Sequence, residues 1–162
     1  MSGGKIKLGV LLPTRGLLLG EEQPPNADRI IRMAERVEAA GLDSVWVGDS
    51  LTAKPRLEPL AALGAIATRT SRVRLGTAVL LPALRHPVLL AQTLATVDLI
   101  SGGRLVIGAG VGGAFNDDQR REWQAAGVDP SRRAGTPPAP QIPSPIGSDV
   151  PRNCKAYQGP GP

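Results

Sequence analysis

Apolar residues in this chain gather in short dense runs instead of alternating with polar ones. Ile6 to Leu12 reads Ile-Lys-Leu-Gly-Val-Leu-Leu and stops at Pro13. Ser44 to Val47, Val73 to Val79 and Leu105 to Ala109 are further runs of this kind. Short continuous runs bounded by Gly or Pro are expected of strands covered on both faces, as in parallel sheets. Between them the spacing becomes helical. In Ala27 to Ala40, the residues Ile30, Ala34 and Val37 share one face, with Arg32, Glu35 and Arg36 largely elsewhere. Asn26 is placed to cap that helix and Gly41 to end it. A second helix is expected from about Glu58 to Thr70, with Pro59 in the tolerant first turn. A third runs from Pro87 to about Ile100 and is stopped by Gly102-Gly103. A fourth starts at Asn116 or Asp117 and ends near Ala126, before Gly127. Residues 13–26 and 80–86 read as loops.

The strands begin near residues 6, 44, 73 and 105, which gives one β/α unit for roughly every thirty residues. The predicted fold class is therefore α/β: four consecutive β/α units around a parallel sheet, with right-handed crossovers. After Gly135 the pattern is lost. Residues 136–162 hold eight of the sixteen prolines and show neither period 2 nor period 3.6. The expected division is a folded unit over 1–135 and a disordered Pro-rich tail over 136–162. The tail reads either as a flexible appendage or as a replacement of the natural sequence, by a frameshift for example. A fifth strand is due there and does not arrive.

Composition narrows the partners. The formal charge is +5, but the basic residues are scattered over expected helices near Glu or Asp. That is the pattern of solvated helix faces, not of a nucleic-acid footprint. Phe, Trp and Tyr total four, too few for a stacking platform. Cys154 is the single cysteine, so no internal disulfide forms, which fits a reducing compartment. Lys5 and Lys7 precede an apolar stretch, yet Pro13 and Arg15 interrupt it before it resembles a signal peptide. No apolar run approaches the ~20 residues of a membrane helix. The expectation is a cytoplasmic protein with neither nucleic acid nor membrane as partner.

Three features carry candidate chemistry. Gly108-Ala-Gly-Val-Gly-Gly113 matches G-x-G-x-x-G between a strand and a helix. Such glycines let a backbone approach a pyrophosphate, but the fingerprint belongs on the first strand of its unit, followed by an acid on the next. The other reading is a glycine-rich strand exit. Asp49 leaves the second strand at its C-terminal end, where parallel α/β proteins bind ligands. It either accepts hydrogen bonds from a ligand or caps amides of its own loop. His86, the single histidine, precedes Pro87 and is placed to fix the start of a helix. No G-x-S-x-G elbow is present, and one His with one distant Cys supplies no metal cluster.

Several segments, in order, resemble the luciferase-like monooxygenase family. They are Gly41-Leu-Asp-Ser-Val-Trp-Val-Gly-Asp-Ser50, Arg74-Leu-Gly-Thr-Ala-Val79, Arg85-His-Pro87, and Ser101-Gly-Gly-Arg104 leading into Gly108-Ala-Gly-Val-Gly112. Glu122-Trp123, Gly127-Val-Asp-Pro130 and Arg132-Arg133 continue the likeness, which covers about Lys5 to Arg133. It implies a (β/α)8 TIM-type barrel that binds FMN or the deazaflavin coenzyme F420 at its strand ends. The cofactor would carry hydride chemistry on a small organic substrate, with or without oxygen insertion.

By position, the resemblance implies that Asp49 and Ser50 lie at the ring end of the cofactor. Thr77, Ala78 and Val79 would form the exit backing the ring, where relatives often place a non-prolyl cis peptide. Gly108 and Gly110 would let the fourth strand's exit approach it. Many relatives have His where this chain has Ser50, and some sugar-phosphate-oxidising relatives have Glu where it has Val111, so proton transfer has no assigned residue. A barrel takes about 250 residues; the chain is expected to be the first half of one, truncated, with impaired or absent activity. Two alternatives stay open: a non-catalytic half-barrel that self-associates as a homodimer, and a small Rossmann-like nucleotide binder.

Overall fold

All four apolar runs become strands of one parallel sheet in a computed structural model that describes residues 6–20 and 25–132. The strands are β1 (Gly9–Leu11), β2 (Ser44–Val47), β3 (Arg74–Leu80) and β4 (Leu105–Ala109). The helices are α1 (Thr14–Leu19), α2 (Asp28–Ala39), α3 (Pro59–Ala67), α4 (Pro87–Ser101) and α5 (Asp117–Ala125). The expected tail and Cys154 lie outside the described residues. The hydrogen-bonded order is β1-β2-β3-β4. This order runs one way only, as in a barrel wall, and lacks the reversal at which a doubly wound Rossmann sheet binds its nucleotide.

Register explains the core. Val10 lies opposite Val45, Val45 opposite Leu75, and Leu75 opposite Leu105. Because side chains alternate along a strand, this row faces one side of the sheet. There it packs against Ile30, Ala34 and Val37 of α2, Leu60, Leu63 and Ile66 of α3, and Val97 of α4. The other side is built differently. Leu11, Trp46, Gly76 and Val106 are opposed in turn. The Trp46 indole, whose Nε1 donates to Ser44 Oγ at 2.9 Å, lies where a side chain at Gly9 or Gly76 would have to go.

Several boundaries differ from expectation. β1 is shorter than residues 6–12. Leu8 still joins the sheet, but through Asp43: its amide donates to Asp43 Oδ2 at 2.7 Å, and the Asp43 amide donates to its carbonyl at 2.8 Å. The expected loop after Pro13 contains α1, which a glycine inside a six-residue helix concealed. The N-cap is Ala27, not Asn26 as expected, and it makes no side-chain capping bond; Asn26 sits one residue earlier, its Oδ1 accepting from the Asp28 amide at 3.0 Å. α3 ends at Ala67, short of Thr70. There Arg104 Nη2 donates to the Ala67 and Thr70 carbonyls at 3.0 and 2.9 Å, a cation at a helix C-terminus. Gly41 and Gly102 end α2 and α4 with φ of 76° and 68°, which suits a residue without Cβ. His86 precedes α4, but its side chain makes no capping bond, so Pro87 at the first helical position sets that start.

Glu38 ties α2 to the turn before β3. Its carboxylate accepts from the amides of Ser71, Arg72 and Val73 at 2.6–3.1 Å. Partial burial pushes its pKa up, but the amides of Val73, Arg72 and Ser71 together outweigh it and leave the group at about 2. A depressed folded pKa stabilises above the unfolded value and is lost as pH falls through the folded one. Glu38 therefore contributes fully above about pH 4.5 and progressively less down to about pH 2. Glu38→Gln is expected to cost about 1 kcal/mol at pH 7 and to flatten the acid limb of stability in denaturant melts taken at a series of pH values.

Candidate functional site

The C-terminal ends of β2, β3 and β4 meet around a hollow of about 240 Å³. Asp49, Ser50, Ala78 and Val79 line it, with Lys54, Arg56, Gly112 and Glu122. A complete small-molecule site has about 300–1,000 Å³, so these residues make one wall of such a site.

The Asp49 side chain is fully buried and engaged. Its Oδ2 accepts from the Leu81 amide at 2.8 Å and from Arg85 Nη1 at 2.5 Å, while Oδ1 accepts from Arg85 Nη2 at 2.9 Å. This two-pronged pair joins the β2 exit to the β3 exit. Arg85 reaches a second acid, Glu58, at 3.1 Å. Glu58 also begins α3 by accepting from the Ala61 amide at 2.7 Å. Burial works to lower the Arg85 pKa, but the bonds to Asp49 and Glu58 outweigh it and hold the guanidinium above its ordinary value.

Ser50 takes part in a second clamp. Its Oγ donates to Glu122 Oε1 at 2.6 Å and accepts from the Lys54 amide at 2.9 Å. The same Oε1 accepts from the amides of Thr52 and Ala53 at 3.0 and 3.2 Å. Burial would raise the pKa of Glu122, yet the Ser50 hydroxyl and these amides bring it below the ordinary carboxylate range. Glu122 on α5 thus pins the β2–α3 loop as an ion. Its neighbour Trp123, 1% exposed, donates Nε1 to the Gly113 carbonyl at 2.8 Å and fixes the glycine-rich turn.

Thr77 and Gly108 bond reciprocally. The Thr77 hydroxyl donates to the Gly108 carbonyl at 3.0 Å and accepts from its amide at 3.1 Å. Thr77 is wholly buried, so it holds β3 and β4 together from behind the hollow. The peptide between Ala78 and Val79 is cis, within the Thr77-Ala78-Val79 exit where the resemblance implied one. Both residues are exposed, and β3 shifts register against β4 there. A Cβ on Gly110 would lie 2.6 Å from Val79 Cγ2, so glycine leaves room in front of that exit.

Five of the seven residues named from sequence thus stand at or beside the hollow, and Thr77 and Gly108 support it. Arg85 and Glu122 lie in the family-like segments, whereas Glu58, Lys54 and Arg56 lie outside them. The one local signal for Glu58 is its position directly before Pro59, where an acid caps a helix. Among the described residues no cluster of metal-ligating side chains occurs, and no helix is long and apolar enough to cross a membrane.

A model of the luciferase-like monooxygenase family matches residues 6–136. The F420-dependent glucose-6-phosphate dehydrogenase of Amycolatopsis mediterranei is 43% identical over 103 residues, which is 58% of this chain and 31% of that protein. The crystal structure of the monooxygenase RslO1 from Streptomyces bottropensis aligns with a TM-score of 0.66 at 30% identity, covering 79% of this chain and 38% of that one. The coenzyme F420-dependent tetrahydromethanopterin reductase of Methanopyrus kandleri aligns with a TM-score of 0.57 at 25% identity, covering 77% and 31%. The chain spans about a third of the length of these relatives. The family match runs from β1 past α5 and takes in every strand exit around the hollow, and so the chain belongs to the luciferase-like monooxygenase family.

Proposed function

We propose that the exits of β2, β3 and β4 form one wall of a seat for FMN or coenzyme F420, in an oxidoreductase acting on a small organic substrate. One observation carries this reading. The pairs Asp49-Ser50 and Ala78-Val79 come from two different strand exits and line one hollow at the ligand-binding end of a parallel sheet. The Val79 side chain is exposed there, and glycine at 110 keeps the space beside it clear, so a flat ring can lie against it. The bound cofactor would supply hydride chemistry; this chain's residues position and enclose it. Asp49, engaged by Arg85 and Leu81, acts by holding two exits in register. Ser50, engaged by Glu122 and Lys54, orders the loop over the hollow.

The test is titration of the full chain with FMN and, separately, with coenzyme F420, read by cofactor fluorescence. Saturable binding of one of them at micromolar concentration is expected. A second reading, the non-catalytic half-barrel that self-associates, is favoured by apolar side chains at the open edges. Leu11 on β1 is 62% exposed, and Val111 and Phe115 beyond β4 are 60% and 80% exposed. A dimer in sedimentation that binds neither cofactor would select it.

A further inference from the structure

The loop from β2 to α3 carries Lys54-Pro55-Arg56 into the same hollow. Arg56 is half-buried, and its guanidinium lies where a Cβ on Gly48 would have to go. Its Nε donates to the Lys54 carbonyl at 3.3 Å. Among the described residues no carboxylate lies within ion-pair distance of it or of Lys54. The acids that line the hollow are otherwise engaged: Asp49 by Arg85 and the Leu81 amide, Glu122 by Ser50 and two loop amides. Among the described residues, two cations therefore face the hollow without a counter-ion.

Their loop is fixed in advance. Glu122 holds the amides of Thr52 and Ala53, Ser50 Oγ holds the amide of Lys54, and Pro55 locks one backbone angle between the two cations. Donors held ready in this way bind charge without paying for reorganisation. A guanidinium offers a planar fork of N–H donors that matches a carboxylate or phosphate, and a half-buried one attracts an anion more strongly than one in bulk water.

We propose that Lys54 and Arg56 form an oxyanion-binding site at this mouth, with Arg56 as the principal donor. Its ligand is the substrate's carboxylate or phosphate, an assignment that rests on the cofactor seat proposed above. The full chain is titrated with inorganic phosphate, followed by tryptophan fluorescence, in wild type, Arg56→Met, Arg56→Lys and Arg29→Met. Arg29 is an exposed control on α2. Saturable binding is expected in wild type and in Arg29→Met, weakened about tenfold in Arg56→Met and less in Arg56→Lys. Equal phosphate affinity in wild type and Arg56→Met, or no saturable binding, overturns the site. The same variants are titrated with FMN and coenzyme F420. Cofactor affinity unchanged in Arg56→Met assigns the anion to the substrate. A parallel loss of cofactor affinity, with phosphate competing against cofactor, overturns that assignment. Phosphate binding that depends on Arg56 in a chain binding neither cofactor keeps the anion site and removes the cofactor seat.

Discussion

Replacing Arg85 with methionine is expected to cost about 3–5 kcal/mol of folding stability, because it leaves Asp49 as a buried charge with a single amide donor. Methionine keeps most of the side-chain volume, so the loss reports the charge and its bonds more than packing. Arg85 is the common partner of Asp49 at the β2 exit and Glu58 at the start of α3. Its removal therefore loosens two loops at once, and the mouth of the hollow with them. Asp49→Asn together with Arg85→Met is expected to cost clearly less than the sum of the two single changes, since the double variant no longer buries an unpaired ion. Urea denaturation of the four species measures this coupling directly. A near-zero coupling, with each single change costing under about 1 kcal/mol, would show that the pair is screened by water and does not organise the exits.

The same pair shows what the sequence could and could not reveal. Strand and helix order followed from apolar run length and helical spacing, because these depend on neighbours a few residues away. β2, β4 and the start of α4 fall at the expected residues. The mouth does not work that way. Asp49 to Arg85 spans 36 residues and Ser50 to Glu122 spans 72. No periodicity encodes a partner at that distance, and Asp49 alone fits a ligand contact and a loop cap equally well. α1 escaped for a different reason. Its six residues include Gly16 and lack a capping side chain, so its local signal is that of a loop. The family-like segments did mark the right neighbourhood. The geometry adds that within it Asp49 and Ser50 are already bonded, while Lys54 and Arg56 line the hollow with no counter-ion among the described residues.

Gly108 and Gly110 separate support of the sheet from contact with a ligand. A Cβ on Gly108 would lie 2.5 Å from the Thr77 carbonyl oxygen, a backbone atom within the sheet. Gly108→Ala must part β3 from β4 and disturb the reciprocal Thr77 bonds, at a cost of about 1–3 kcal/mol. A Cβ on Gly110 meets Val79 Cγ2, a side-chain methyl of a residue that is 44% exposed, and not backbone of the sheet. Gly110→Ala is therefore expected to change stability by less than about 1 kcal/mol. Val79, which the new methyl would crowd, lines the hollow. If a flat cofactor rests there, Gly110→Ala should weaken its binding by about ten- to hundredfold while the melt stays near wild type. Gly108→Ala should lower both stability and affinity. Parallel cofactor titrations and thermal melts of the two variants decide the matter. Wild-type affinity in a well-folded Gly110→Ala protein would mean that the glycine-rich exit serves sheet packing alone and that the cofactor seat lies elsewhere.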